Sequence, residues 1–340
     1  MAASGLPFDD IRNLLPLMPP ASQVCVDEVR ARESQLAKPE GSLGRLEEIV
    51  AFLAAWQGRS QPLVQRPLVA LFLANHGLAE RNISASPISM TRAMLDNFAA
   101  GGAAVNQICA TYDVGLKVFE LALDVPTKDI VTEPAMDEAE AAATIAFGME
   151  AIAGGTDLLA LGETGVGNTT IAAAIYHALY GGSAADWVLH SSRQDQSLRA
   201  RQIAAVEAAV ALHRDHVIDP LELLRRLGGR EILAIAGAIL AARMERIPVV
   251  LDGYVSCAAA AVLHRLDPAT IDHCMAGHVA GDAAHANVLM RIGKKPLLDL
   301  GIDLGQGAGA ALALGLIKAA LACHRDMATF EQASVPRALP

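Results

Sequence analysis

Aromatic side chains are scarce in this sequence: seven Phe, four Tyr and two Trp in 340 residues. The core must therefore be filled by Ala, Leu, Gly and Val, which suits helices packed closely through small side chains. Cysteine is equally uninformative as a staple. Cys25, Cys109, Cys257, Cys274 and Cys323 are odd in number and never in C-x-x-C spacing, so neither a zinc knuckle nor a disulfide framework is indicated, and a reducing compartment fits. Cationic runs are also missing. With 27 Lys and Arg against 37 Asp and Glu, a formal charge of −10 offers no footprint for nucleic acid. The N-terminus "MAASGLPFDD" lacks the basic, apolar, small-residue order of a signal peptide. Apolar stretches such as "ILAIAGAILAA" (232–242) fall short of the roughly 18 residues that span a bilayer. The expectation is a soluble cytoplasmic protein with neither nucleic-acid nor membrane partners.

What is present is an alternation. Residues 1–60 carry apolar residues at helical spacing in "VDEVRARESQLA" and "LGRLEEIVAFLAAWQ", which predicts a small helical domain, joined by part of the C-terminal segment. After the linker "QPLVQRP" come short apolar runs without polar alternation: "LVALFLA" (68–74), "LKVFELAL" (116–123), "DLLALG" (157–162) and "IPVVLDG" (247–253). Each precedes a small-residue turn and a helical pattern. Such runs suit strands buried on both faces, so 61–325 is predicted as a large α/β domain around a parallel sheet. Residues 326–340 are expected to be a tail.

Ligands in parallel sheets bind beyond the carboxyl ends of the strands, which directs attention to four loops. "GETGVGNTT" (162–170) has the spacing of a phosphate loop without its lysine. Asn168 cannot supply that charge, which argues against a nucleoside triphosphatase. Its glycines, Gly165 and Gly167, still allow close backbone approach, and the helix start at Asn168 and Thr169 suits an anion. Glu163 is either a ligand-orienting acid or a helix cap. His76 in "ANHG" and Asp252 in "VVLDGY" sit at strand ends with the same ambiguity between catalysis and structure. "KPEGSLGRLE" places Lys38 and Ser42 before a helix, Ser42 near its cap. His273, His278 and His285 are spaced by five and seven, which does not put them on one helical face, so no metal site is expected. No G-x-S-x-G elbow marks a serine hydrolase.

In order along the chain, "KPEGSLGRLEEI", "ANHG", "NFAAGGAAVNQIC", "AGGTDLLALGETGVGNTTIAAA", "LGGREILAIAGAILAAR", "PVVLDGYVSCAAA", "PLLDLG" and "MATFEQA" closely resemble the nicotinate-nucleotide–dimethylbenzimidazole phosphoribosyltransferase family, which makes the lower-ligand nucleotide of cobalamin. The resemblance implies a Rossmann-like large domain, a small helical domain from the two chain ends, no cofactor, and a homodimer. It also implies a displacement at the ribose anomeric carbon of nicotinate mononucleotide by a benzimidazole nitrogen. That reaction needs an aligned nucleophile, an anchored phosphate and a group to take the azole proton.

Against the family pattern, the late motif that carries the general-base Glu reads "LGQGAGA" here. Gln306, between Gly305 and Gly307, stands in that Glu's place, and an amide cannot act as a base near neutral pH. Ala93 replaces the Gln that lies against the benzimidazole, "LHSSRQD" (189–195) replaces a glycine-rich run, Gln202 replaces a phosphate-binding Lys, and Ala280 opens the altered phosphate loop "AGDAAH". With Gln306 the expectation is a transferase of weakened or lost activity, Glu163 being the nearest remaining carboxylate. Two alternatives stay open on the sequence: a non-catalytic paralogue that binds a ligand or pairs with an active homologue, and glycosyl transfer to a different acceptor.

Overall fold

The computed structural model describes residues 7–190 and 195–336. Six strands, β1 (Pro67–Leu73), β2 (Gly115–Glu120), β3 (Leu158–Thr164), β4 (Val249–Leu251), β5 (Cys274–Val279) and β6 (Pro296–Asp299), form one sheet in the order β2-β1-β3-β4-β5-β6. Every neighbouring pair is parallel. The apolar runs at 68–74, 157–162 and 247–253 become β1, β3 and β4, whose residues are almost all buried. The run at 116–123 becomes β2, an edge strand that alternates between exposed and half-buried. β5 and β6 carry no comparable sequence signal, because "CMAGHV" is interrupted by Gly and His and "PLLD" is only four residues long.

Helices cover both faces, as parallel crossovers require. Leu68, Ala70 and Phe72 of β1 point toward the helices Glu138–Met149, Asn168–Tyr180, Arg230–Met244 and Tyr254–Leu266. Val69, Leu71 and Leu73 point toward Arg45–Gln57, Ala104–Tyr112 and Ala308–Asp326. Burying each of these larger side chains contributes roughly 1.5–3 kcal/mol. Small residues set the spacing between helices. A Cβ on Gly148 would lie 1.9 Å from the Ala234 carbonyl oxygen, and one on Gly237 would lie 1.9 Å from that of Ile145, so these two helices meet backbone to backbone.

The helix Pro7–Leu14 inserts Phe8 and Ile11 on the Glu138–Met149 side of the sheet, and the Phe8 amide donates to Glu138 Oε1 at 3.1 Å. The two chain ends also meet. Leu36 pairs with Thr329 in an antiparallel bridge, and the Ala37 amide donates to the Ala328 carbonyl at 2.9 Å. Within the segment expected as a tail, Phe330–Ala333 is a short helix capped by Thr329. The helix Ala308–Asp326 is longer than the apolar runs read from the sequence, and by length and composition it could cross a membrane. Here it packs in the core, with 56% of that stretch buried. The strand order reverses between β1 and β3, which makes their carboxyl ends the expected ligand crevice.

Candidate active site

β3 carries seven residues whose first six are buried, so it emerges from the core with Glu163 and Thr164 at its carboxyl end. The chain then turns through Gly165, Val166 and Gly167 into the helix Asn168–Tyr180. Gly167 takes φ +87° as the residue before that helix. Gly165 is required by proximity, because a Cβ there would lie 2.7 Å from the Ala74 carbonyl oxygen.

The matching turn before Ala308–Asp326 approaches from the other side. Gly305, Gln306 and Gly307 have φ of +67°, +60° and +74°. Three consecutive left-handed residues suit glycine, yet the middle one is glutamine. A side chain held there is a local strain of the kind concentrated at functional sites.

Between the two turns lies a cavity of about 480 Å³, within the usual range for small-molecule sites. Glu163, Gly165, Gly167, Asn168, Thr169, Ala280, Gly305 and Gln306 all line it. A Cβ on Gly305 would stand 3.6 Å from Glu163 Oε1, so the two turns face each other closely. Glu163 is 7% exposed and accepts a hydrogen bond from Asn168 Nδ2. Burial, then the nearby charges of Glu231 and Asp252, push its carboxyl up to about 8, against the pull of Asn168. At neutral pH Glu163 is thus mostly a carboxylic acid.

Other expected residues stand elsewhere. Lys38 is enclosed between Glu33 Oε2 at 2.9 Å and Glu47 Oε1 at 2.8 Å, an ion-pair cluster extended by His324 Nδ1, 2.6 Å from Glu33 Oε1. It is outside the cavity lining and ties the chain ends together. Ser42 is exposed, and the helix Arg45–Gln57 starts after Gly44 without a side-chain cap. His76 lies behind the Glu163 turn with no exposure and is paired with Glu231 at 3.1 Å. Ala93 is exposed, while Met90, Thr91 and Met94 of the same helix line the cavity. A helix turns one face to the cavity, and Ala93 is off it.

Asp252 acts from beneath. Its Oδ2 accepts from the Gly307 amide at 2.9 Å and its Oδ1 from the Ala310 amide at 2.8 Å. Burial raises its pKa, opposed first by His278 and then by these amides. Asp252 thereby anchors the Gln306 turn rather than touching a ligand. Gly307 is likewise structural: a Cβ on Gly162 would sit 2.5 Å from its Cα. Gln202 lies in an adjoining hollow of about 170 Å³ with Thr169, Thr170, His190, Asp282 and Asp303. Its Nε2 donates to the Ile83 carbonyl at 2.9 Å. The described lining of that hollow carries no Lys or Arg. Of the stretch 189–195, residues 191–194 lie outside the described residues.

His278 and Asp303 are among the cavity residues that sequence reasoning misses. In the sequence His278 is only one of three histidines whose spacing speaks against a metal site, and "CMAGHV" does not look like a strand. With β5 recognised, His278 near its carboxyl end stands where ligands bind.

A parallel sheet with its cavity at the carboxyl ends of its strands, walled by two glycine turns, is the architecture of an α/β enzyme acting on a small molecule. A phosphoribosyltransferase family model matches residues 18–335. The chain belongs to the nicotinate-nucleotide–dimethylbenzimidazole phosphoribosyltransferase family. It is 64% identical to the protein of that name from Methylocella silvestris over 335 residues, covering 98% of each chain. It is 60% identical to the one from Rhizobium rhizogenes, covering 98% of this chain and 99% of that one. The crystal structure of the Thermus thermophilus protein of the same name superposes with a TM-score of 0.85 at 37% identity, covering 93% of this chain and 99% of that one.

Proposed function

We propose that this protein transfers phosphoribose from nicotinate mononucleotide to 5,6-dimethylbenzimidazole or a related base. The observation that carries the reading is the meeting of Glu163 and Gln306 across one cavity at the carboxyl ends of the sheet. A benzimidazole nitrogen attacks the ribose anomeric carbon while nicotinate leaves with the electron pair of the glycosidic bond. Charge develops on the ribose ring as that bond lengthens, and oriented dipoles are the economical way to stabilise it. The Gln306 amide orients the azole. Glu163 hydrogen-bonds at the reacting centre as an acid below about pH 8, and above that it is a carboxylate facing the oxocarbenium-like ribose. The amides that open the helix Asn168–Tyr180, where Asn168 and Thr169 line the cavity, take the phosphate end.

The enzyme works in this reading without a cofactor, in the cytoplasm, as a homodimer. The comparisons lend no support to a non-catalytic paralogue. Incubation with nicotinate mononucleotide and 5,6-dimethylbenzimidazole, followed by chromatography, is expected to show equimolar nicotinate and α-ribazole phosphate. Absence of both above the buffer rate, at high protein concentration, would refute the assignment.

A further inference from the structure

Gln306 leaves one chemical role unfilled, since the azole must lose its N–H as it attacks and an amide cannot take it. Glu163 is a poor replacement at neutral pH, being largely protonated and already bonded to Asn168. Another group on the cavity wall has the required chemistry. His278 lines the cavity, is 1% exposed, and has neither ring nitrogen in a hydrogen bond. Buried imidazole nitrogens usually have partners, so two buried and unpartnered ones on a residue of the cavity wall call for an explanation.

The fold has made room for this ring. A Cβ on Gly309 would lie 2.0 Å from His278 Cδ2, so the imidazole occupies space that a side chain in the first turn of Ala308–Asp326 would fill. His278 Nε2 stands 3.7 Å from Asp252 Oδ1. The remaining titratable groups around it are His285 from the helix Ala283–Arg291 and Asp303 from the segment before Gln306. His285 is neutral: burial, then His278, pushes it down to about 3. The Asp252 carboxyl beside the ring is itself held by the amides of the turn that opens Ala308–Asp326.

We infer that His278, backed by Asp252, is the residue that takes the azole proton in this protein, in the role that Gln306 cannot fill. The azole N–H bond breaks and an imidazole N–H bond forms, leaving the electron pair in the azole ring. The other azole nitrogen bonds to the anomeric carbon. The pyridine nitrogen departs with the glycosidic pair and loses its positive charge, and the imidazolium then releases its proton to water.

This inference rests on the transferase reading, and two measurements separate the two. In the turnover assay, His278→Ala is expected to lower kcat by about 100-fold or more with KM little changed, and added imidazole is expected to restore at least about tenfold. His278→Gln serves the same comparison if the alanine variant does not fold. A kcat within about twofold of wild type in a folded variant overturns the inference while leaving the transferase reading intact. Should the wild type itself not turn over, histidine-¹⁵N NMR decides separately. The His278 ring resonances, assigned by their loss in His278→Gln, are expected to shift on adding 5,6-dimethylbenzimidazole and to stay in place with its N1-methyl derivative, which has no N–H. Resonances that do not respond to the N–H compound, or respond equally to both, overturn it.

Discussion

Gly162 and Gly307 touch without side chains between them: a Cβ on Gly162 would lie 2.5 Å from both the Cα and the backbone nitrogen of Gly307. The contact joins the strand that delivers Glu163 to the turn that delivers Gln306. Neither backbone can retreat, since Leu71 presses on both glycines from the sheet. Gly162→Ala is therefore expected to destabilise the fold by about 1–3 kcal/mol through overpacking. It is also expected to lower turnover by widening the gap between the two turns. Urea denaturation and the nicotinate-release assay check the two effects.

Gln306 holds φ +60°, a conformation costing a non-glycine residue roughly 1–2 kcal/mol. Gln306→Gly is expected to raise stability by up to about 1 kcal/mol, the flexibility gained by the unfolded chain offsetting part of the relief. The same change removes the amide that orients the azole, so turnover falls as stability rises. Thermal melting beside the activity assay tests for this opposition.

Gln306→Glu adds a carboxylate to a cavity that already holds Glu163. A like charge raises the pKa of its neighbour, so the pH at which Glu163 ionises is expected to move above about 8. The new carboxylate also offers a second proton acceptor, and turnover is expected to rise by about tenfold or more. A pH–rate profile of the variant against the wild type reads both effects.

Glu163 has a pH signature in stability as well. Its folded pKa of about 8 exceeds the unfolded value near about 4.3, so the native state binds more protons than the unfolded chain between these limits. Stability from this group is whole below about pH 4, declines as pH rises, and is fully lost above about 8. Glu163→Gln cannot ionise and is expected to gain stability relative to wild type on going from about pH 5 to about pH 8.5. Denaturation midpoints at the two pH values check the sign.

Lys38 is expected to matter for folding rather than for binding. Its amine lies between Glu33 and Glu47 with 6% of the side chain exposed. Removing it leaves two carboxylates facing each other, and Lys38→Met is expected to cost about 3 kcal/mol. KM for nicotinate mononucleotide is expected to stay within about twofold of wild type, as the cluster is away from the cavity. A large rise in KM with unchanged stability would return Lys38 to the site.

The parallel α/β architecture is legible in the residues alone, because strands buried on both faces must be written as uninterrupted apolar runs, and β1, β3 and β4 are. So are the turns that wall the cavity. Residues 162–169 and 305–307 need glycines for close backbone approach and positive φ, and those requirements are visible residue by residue. The family is legible for the same reason, in matching segments spread over nearly the whole chain.

Which polar side chains face the cavity is a matter of packing that no local pattern records. Lys38 and His76 have the chemistry of ligand-binding groups, but Lys38 is held by carboxylates of other elements and His76 is fully buried 3.1 Å from Glu231, outside the cavity lining. Asp252 has the look of a ligand-binding acid at a strand end, yet its carboxylate serves the amides of Gly307 and Ala310, 55 and 58 residues away. His278 is the reverse case, a residue of no special pattern whose ring the packing of Gly309 admits to the cavity wall. Local pattern reports backbone conformation and burial, which are set by neighbours in sequence. The partner of a charged or polar group is set by whichever distant element packs against it.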